Sequence, residues 1–444
     1  MSTTRHVEAL LAAAKRHGAD HADAIFIRNE SESAMVRKGV PEGIERSESV
    51  ALGLRVFRNQ KAASVSTSVL DDAEFDRLAE QACAMALVVP EDRFGGLAPD
   101  AMIGHFDAEG LDLSDTASPD MDTLLSRARE AEEAALAVSG VTNTNGASVG
   151  HGRTVIALGT SAGFMGSYSR SGHSISASVL AGEGASMQRD YAYHSTVHLE
   201  DLDAPEAVGR LAGERAVARI NPGRPKTGTY DVIYDPRVSS SLLGHLVSAI
   251  NGASIARGTS FLKEAMGTQI LSTGLTVRDN PRLVRGPASR PFDGEGCAAN
   301  VLDLVIDGVL QTWLLDSRSA RQLDLRSNGR ASRGVSGPPS PSVTNLHLAP
   351  GDLSAVELRS DIKEGILVTE LMGSSVNMLT GDYSRGASGF MIRNGELAEP
   401  VAELTIAGNL RDMFTRMVPA SDLSFRNSVN APSIRIDGMS IAGL

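Results

Sequence analysis

Five short stretches of this chain combine residue types and spacings that could do chemistry. Gly159-Thr160-Ser161-Ala162-Gly163 matches G-x-S-x-G, the pattern in which a strained strand-to-helix turn presents a nucleophilic serine. The residues that follow, FMGSYSRSGHSISASV, read as strand and turn, so the glycines are expected to make a hairpin instead. Ser260-Phe261-Leu262-Lys263 is an S-x-x-K, in which a lysine could take the serine's proton. Lys226-Thr227-Gly228 and Ser375-Val376-Asn377 look like the other two elements of a penicillin-binding set. Their chain order is wrong, Val376 stands where that set has Asp, and Lys226 falls in a Pro-rich stretch rather than a strand. His194 and His198 form H-x-x-x-H, but on a strand they stand ~13 Å apart, too far to share one zinc ion, and solvated or strand-pairing imidazoles are expected. Gly294-Glu295-Gly296-Cys297 lacks the third glycine of a dinucleotide fingerprint and reads as a tight turn with a small packed thiol. Gly381-Asp382-Tyr383-Ser384-Arg385-Gly386 suits a binding loop, and equally a turn in which Arg385 and Asp382 satisfy one another.

Periodicity supplies the elements that must position these residues. Residues 3–17 have Val7, Leu10, Leu11 and Ala14 at helical spacing, with Ser2 to Thr4 as cap candidates and Gly18 beyond. Residues 23–69 alternate in short runs and read as an antiparallel meander. Residues 71–89 return to helical spacing, opening on Asp71, Asp72 and Glu74. Residues 91–119 show no period and read as a linker or surface excursion. A helix at 121–138 is then followed by β-like runs that predict a second sheet, and by a helix at 204–220. The Pro/Gly-rich stretch 221–228 marks the major boundary. Beyond it come a strand (YDVIYDP), a helix at 238–250, and hairpins at Asp307-Gly308 (301–306 with 310–315) and Asn394-Gly395 (390–393 with 397–401). The chain therefore reads as α+β. Residues 1–220 form an N-terminal domain with sub-units 1–90 and 120–220, and residues 229–444 a larger β-rich C-terminal domain.

The 444 residues carry a net charge of −12, which repels phosphate backbones and argues against nucleic-acid binding. No window approaches the ~18 consecutive apolar residues of a membrane span. Residues 1–20 read as a capped amphipathic helix rather than an export signal, and two cysteines, Cys83 and Cys297, supply no disulfide framework; a cytoplasmic location is expected.

Several blocks, in order along the chain, carry a resemblance: 290–296 (RPFDGEG), 307–312 (DGVLQT), 340–345 (SPSVTN), 381–386 (GDYSRG), 406–410 (IAGNL) and 428–432 (SVNAP). Together they resemble the PmbA/TldE branch of the TldD/PmbA family. The resemblance implies a heterodimer of TldD and TldE subunits forming a cytosolic zinc peptidase, implicated in maturing modified peptides such as microcins and in degrading an antitoxin. In the TldD branch the metal comes from an H-E-x-x-x-H helix and a later cysteine, the glutamate serving as general base. That helix runs into an R-G-T-S-like stretch, matched here by Arg257-Gly258-Thr259-Ser260, which places the two histidines and the glutamate at Leu243, Ser248 and Gly244. His245 lies in a different register, and residues 422–432 (DLSFRNSVNAP) contain no thiol. The resemblance thus implies a subunit with no cofactor and no catalytic residue of its own. Its zinc would sit in a TldD-like partner, and it would help form a cleft for an extended peptide by strand addition to exposed β edges. Arg257, Gly258, Thr259, Ser260 and Phe261, with Asp382, Tyr383, Ser384 and Arg385, are the candidate cleft residues. A homodimer when alone, a non-enzymatic regulator of a toxin–antitoxin or gyrase-related complex, and an autonomous hydrolase using Ser260/Lys263 or Ser161 are the alternatives.

Overall fold

The computed structural model describes residues 3–104 and 107–444. The cap candidate Ser2 lies outside the described residues, and the first helix, α1, spans Thr3–Arg16 with Val7, Leu10, Ala13 and Ala14 buried. Three strands follow, β1 (His21–Arg37), β2 (Val40–Arg58) and β3 (Lys61–Thr67), then α2 (Asp72–Val88), whose N-cap Asp71 accepts the Glu74 amide. The second half of the N-terminal region is α3 (Met121–Leu136), β4 (Val141–Thr160), β5 (Met165–Ala181), β6 (Gln188–Thr196) and α4 (Pro205–Ala218).

Two expectations fail here for one reason. The short β runs fuse into long strands, and the second sheet is not separate: β4 pairs with β1, giving a single six-stranded sheet in the order β3-β2-β1-β4-β5-β6. Backbone ladders need no apolar side chains, so polar stretches such as Asn29–Ser33 stay extended because β1 is paired on both flanks, with β2 and β4.

Both helical pairs pack on one face of this sheet. α1 and α2 cover one end through Ala22, Phe26, Leu52 and Leu54; α3 and α4 cover the other through Ala34, Val149, Ile175 and Val179. α3 and α4 approach so closely that a Cβ on Gly209 would lie 1.9 Å from the Ala131 carbonyl oxygen. The opposite face docks on the C-terminal domain through Ile25, Leu158 and Phe164 against Phe292, and through Gly53, where a Cβ would meet the Val335 carbonyl oxygen at 2.1 Å. Residues 91–119 are no free linker. Arg318 pairs with Asp92, Arg321 donates to the Phe94 and Leu97 carbonyls, and Ile103 bridges to Cys297, fastening this strap to the C-terminal domain.

The C-terminal domain is built on β7 (Gly228–Tyr234), which runs into α5 (Pro236–Ala249), and on β8 (Glu364–Val376), β9 (Asp382–Arg393), β10 (Glu396–Asn409) and β11 (Ile434–Ala442). β7 pairs with β8 in parallel and with β11 antiparallel, and β10 pairs with both β9 and β11, so the five strands close into a barrel. Alternation along β7 sends Val232 and Tyr234 into the main core with Leu242, Leu243 and Leu246 of α5, while Ile233 faces a smaller cluster outside. The hairpin at Asn394-Gly395 forms as expected. At Asp307-Gly308 only Val309–Leu310 pairs back, shorter than the expected 310–315. No helix is long and apolar enough to cross a membrane among the described residues.

Candidate functional site

Helix α5 carries Leu243, Gly244 and Ser248, the positions that the resemblance assigns to the metal site of a TldD-type chain. It is capped by Asp235, which accepts the Arg237 amide at 2.9 Å, and buries Leu242, Leu243, Leu246 and Ala249. Leu243 is 1% exposed in the core, whereas Gly244 and Ser248 face outward, the Ser248 hydroxyl donating to the Gly244 carbonyl at 2.9 Å. His245, one residue on, sets its ring edge-on to Tyr383 (5.8 Å, 77°), and burial, then Arg385, lowers its pKa. Zinc takes at least three protein N, S or O ligands, and a leucine, a glycine, a serine and one imidazole do not form such a set. In residues 422–432, Asp422 is held by the Ser433 amide and hydroxyl (2.8 and 2.7 Å), and Asn430 accepts the amides of Arg426 and Asn427. These residues do not fit a zinc centre.

The two candidate cleft segments do meet. The Phe261 amide donates to the Met378 carbonyl (2.8 Å), and the turn that follows Met378 closes onto β9, where Asn377 N–H reaches the Asp382 carbonyl. Ser260 is 3% exposed, its hydroxyl donating to the Ala249 carbonyl at 2.5 Å and accepting the Leu262 amide, so it locks the turn beyond α5. Gly258 takes the left-handed conformation (φ 71°), Thr259 donates to the Ser254 carbonyl, and Arg257 caps the short helix Gly252–Ala256. Residues 382–386 are neither a loop nor a self-satisfied turn, because they lie on β9 between β8 and β10. Asp382 accepts from Thr380 and Asn409, while Arg385 donates to the Met372 carbonyl, so the Arg385–Asp382 pair does not form. Tyr383 is buried and Ser384 pairs in register with Ser375 and Ala407. A cavity of about 290 Å³ opens beside Ser260 and Lys263.

The larger cleft, about 700 Å³, lies elsewhere, between β6, the start of α5 and residues 422–433. Tyr191 and Tyr193 stack on its β6 wall (6.1 Å, 22°), and Tyr193 reaches Asn427 across it at 3.2 Å. Sequence reasoning missed it: the exposed tyrosines alternating with buried Asp190, Ala192 and His194 in QRDYAYHST mark the two faces of the strand but not its place at the edge of the sheet. The terminal strand at this cleft thus belongs to the N-terminal sheet, whereas each of the five barrel strands has a partner on both sides.

His194 and His198 are buried and paired with acids rather than solvated, and His194 is also strand-paired, in register with Ile175 of β5. His194 Nδ1 accepts the Asp203 amide (3.1 Å), and His198 Nε2 lies 3.1 Å from Asp112. His198 belongs to a polar belt between the two helical pairs, where Glu32, His151 and His173 sit in register across β1, β4 and β5, with Asp115 3.1 Å from His173. Burial pushes the His173 pKa below 6.5 in spite of Asp115. A depressed imidazole favours the folded state above the unfolded-state pKa, and this contribution is lost as pH falls through the folded-state value. His194, His245 and His347 are shifted the same way, again first by burial. Thermal midpoints are therefore expected to fall by a few degrees between pH 7.5 and 5.5, and His173→Gln to flatten that fall; an unchanged slope would remove His173 from the account.

Gly294–Cys297 is the tight turn expected, with Gly296 at φ 81°, but it also builds a buried acid pair. Asp293, Glu295 and Cys297 bring their ligand atoms within 4.8 Å of one another. The Asp293 oxygens already accept the amides of Glu295, Cys297 and Ala331, Glu295 accepts the Ser317 amide, and burial and both acids push the Cys297 thiol pKa up. These groups lock a turn.

With this geometry in hand, similarity to known proteins is informative. The chain matches PmbA/TldA metallopeptidase domain 1 at residues 22–86, the central domain at 114–220 and the C-terminal domain at 227–443. It is 37% identical over 426 residues to Metalloprotease PmbA of Escherichia coli, covering 96% of this chain and 92% of that protein. It is also 37% identical over 404 residues to a PmbA homolog of Haemophilus influenzae (90% and 88% covered). A Bacteroides thetaiotaomicron protein described as a candidate modulator of DNA gyrase superposes with a TM-score of 0.91 at 27% identity over 99% of both chains. TldE from Thermococcus kodakarensis shares the fold, with a TM-score of 0.87 at 18% identity over 99% of this chain and 100% of that one. On these matches, spread over all three regions of the fold, the chain belongs to the PmbA/TldD family of metalloprotease-like proteins.

Proposed function

We propose that this chain is a zinc-less, TldE-type subunit that pairs with a TldD-like zinc peptidase in the cytoplasm and helps bind extended or modified peptides for cleavage there. The observation that carries this reading is α5: Leu243 is committed to the core, and Gly244 and Ser248 offer neither a metal ligand nor a general base. Residues 422–432 add no thiol. Catalysis by Ser260/Lys263 is disfavoured, because the Ser260 hydroxyl donates to a buried carbonyl, and Ser161 likewise serves a hairpin turn, accepting the Ala22 amide. A purely regulatory, gyrase-related role has the description of the Bacteroides neighbour in its favour, but the net charge of −12 opposes direct contact with DNA.

The test compares this chain, a TldD-like partner and their mixture for zinc content, co-elution and cleavage of an unfolded peptide. The chain alone is expected to be metal-free and inert, and to co-elute with the partner and change its activity. Stoichiometric zinc or peptide cleavage by the isolated chain would overturn the reading, as would failure to co-elute.

A further inference from the structure

The cavity of about 290 Å³ beside Lys263 lies where three segments of the C-terminal domain meet. After the short helix Gly252–Ala256 the chain reverses at Gly258 and is pinned by Ser260, whose hydroxyl bonds the Ala249 carbonyl and the Leu262 amide. Phe261 and Leu262 are buried under this turn, and Lys263 and Glu264 stand exposed on it. The turn joining β8 and β9 adds exposed Leu379, and the helix Leu410–Thr415 adds Arg411. The Arg411 guanidinium lies over the Phe261 ring, 5.4 Å from its centroid, and its Nη2 donates to the Phe261 carbonyl.

The charges around this cavity are not balanced. Lys263 and Arg411 both line it, and among the described residues no carboxylate lies within ion-pair distance of either. Elsewhere on the same domain, Arg278, Arg393 and Arg435 each take a carboxylate. The hydroxyls at the cavity are committed to backbone, Ser260 to Ala249 and Thr268 to the Ala265 carbonyl at 2.8 Å. Glu264 also lines the cavity, so the local charge is two cations against one acid. The Arg411 fork keeps further N–H donors beyond the one that Phe261 takes, and the Phe261 ring with Leu379 supplies an apolar wall. A space of this size is at the lower end of small-molecule sites and holds a chain end, not the face of a helix or sheet.

We propose that this cavity takes the C-terminal residue of a peptide, with its carboxylate between Arg411 and Lys263 and its side chain against Phe261 and Leu379. A planar guanidinium and a point-charge ammonium are the two cations best matched to a carboxylate. Glu264 on the same rim disfavours ligands of higher negative charge, inorganic phosphate among them. The inference rests on the peptide-binding reading above and deepens it, since it names which end of the peptide this chain holds. It requires neither strand pairing nor the partner's metal.

The probe is the tetrapeptide Gly-Ala-Ala-Leu, fluorescein-labelled at its N-terminus, titrated with the full chain and read by anisotropy. The free acid is expected to saturate, and its C-terminal amide to bind about tenfold more weakly or worse. Lys263→Gln and Arg411→Gln should each lower affinity for the acid about tenfold and leave the amide unchanged. Lys263 is exposed, so its variant tests the site even where far-UV circular dichroism shows that Arg411→Gln disturbs the fold. Absence of saturable binding, an amide that binds as well as the acid, or acid binding untouched by Lys263→Gln would each overturn the proposal. So would an amide carrying an internal glutamate that binds as tightly as the free acid, or displacement of the peptide by inorganic phosphate at a concentration where acetate has no effect. Co-elution with a TldD-like partner, measured on the same samples, separates the two readings: intact pairing without the acid–amide difference sinks only this inference, and the converse sinks only the subunit assignment.

Discussion

Asp23→Ala is expected to cost about 3–5 kcal/mol of stability, because it strands two buried guanidiniums without a counter-ion. Asp23 on β1 accepts Arg55 Nε at 2.9 Å and Nη2 at 2.5 Å from β2, and it also pairs with Arg333 from the C-terminal domain. The Asp23 side chain is 3% exposed, and those of Arg55 and Arg333 are 7% and 1% exposed. Burial alone would raise the Asp23 pKa, but the charges of Arg333 and Arg55 outweigh it and hold the carboxyl below its ordinary value. The ion triad crosses the interface where Gly53 lets β2 touch Val335 and where Ile25 meets Phe292. Urea unfolding of the variant should therefore shift to lower denaturant and separate into two transitions as the domains uncouple. The double variant Asp23→Ala/Arg333→Met should recover part of the loss, since it removes one of the unpaired charges. A loss below about 1 kcal/mol would mean that the triad is neutral in sum.

Glu295→Gln should act in the opposite direction, and only at high pH. Burial and then the Asp293 charge push the Glu295 carboxyl up to about 7 from 4.5, against the attraction of Arg55. A carboxyl raised in the folded state stabilises it below the unfolded-state pKa, and that contribution is lost as pH rises through about 7. Glutamine stays neutral and keeps an oxygen to accept the Ser317 amide, which glutamate accepts at 2.8 Å. The variant is expected to be more stable than the parent by about 1–3 kcal/mol at pH 8.5 and nearly equal to it at pH 5. Equal destabilisation at both values would show that Glu295 works as an ion beside Arg55. Together with the depressed histidines, which lose their contribution as pH falls below 6.5, this carboxyl narrows the pH range of greatest stability from the alkaline side.

What could be read directly was local. α1 to α5 and the hairpin at Asn394-Gly395 were visible because amphipathic spacing, acidic caps and turn residues act within a few positions of one another. Which residues stand at the positions that the resemblance assigns to the metal, Leu243, Gly244 and Ser248, is likewise a matter of side-chain identity, which needs no coordinates. The H-x-x-x-H pair, by contrast, reads as solvated or strand-pairing, with no sign of the acids beside it, because periodicity reports only on a residue's own strand. The acids that pair with His194 and His198 are Asp203, and Asp112 and Asp115, the last two more than eighty positions away.

By itself, the sequence determined the α+β composition, the helices and the tight turns, all set by interactions between near neighbours or by residue type. Tertiary structure alone decided that residues 21–67 and 141–196 share one sheet, and that the C-terminal strands close into a barrel. It alone also left β6 as the terminal strand of its sheet, beside Arg215. Strand partners are chosen by backbone hydrogen bonds, which every residue but proline can make on both sides, so side-chain pattern marks a strand's faces but not its neighbours.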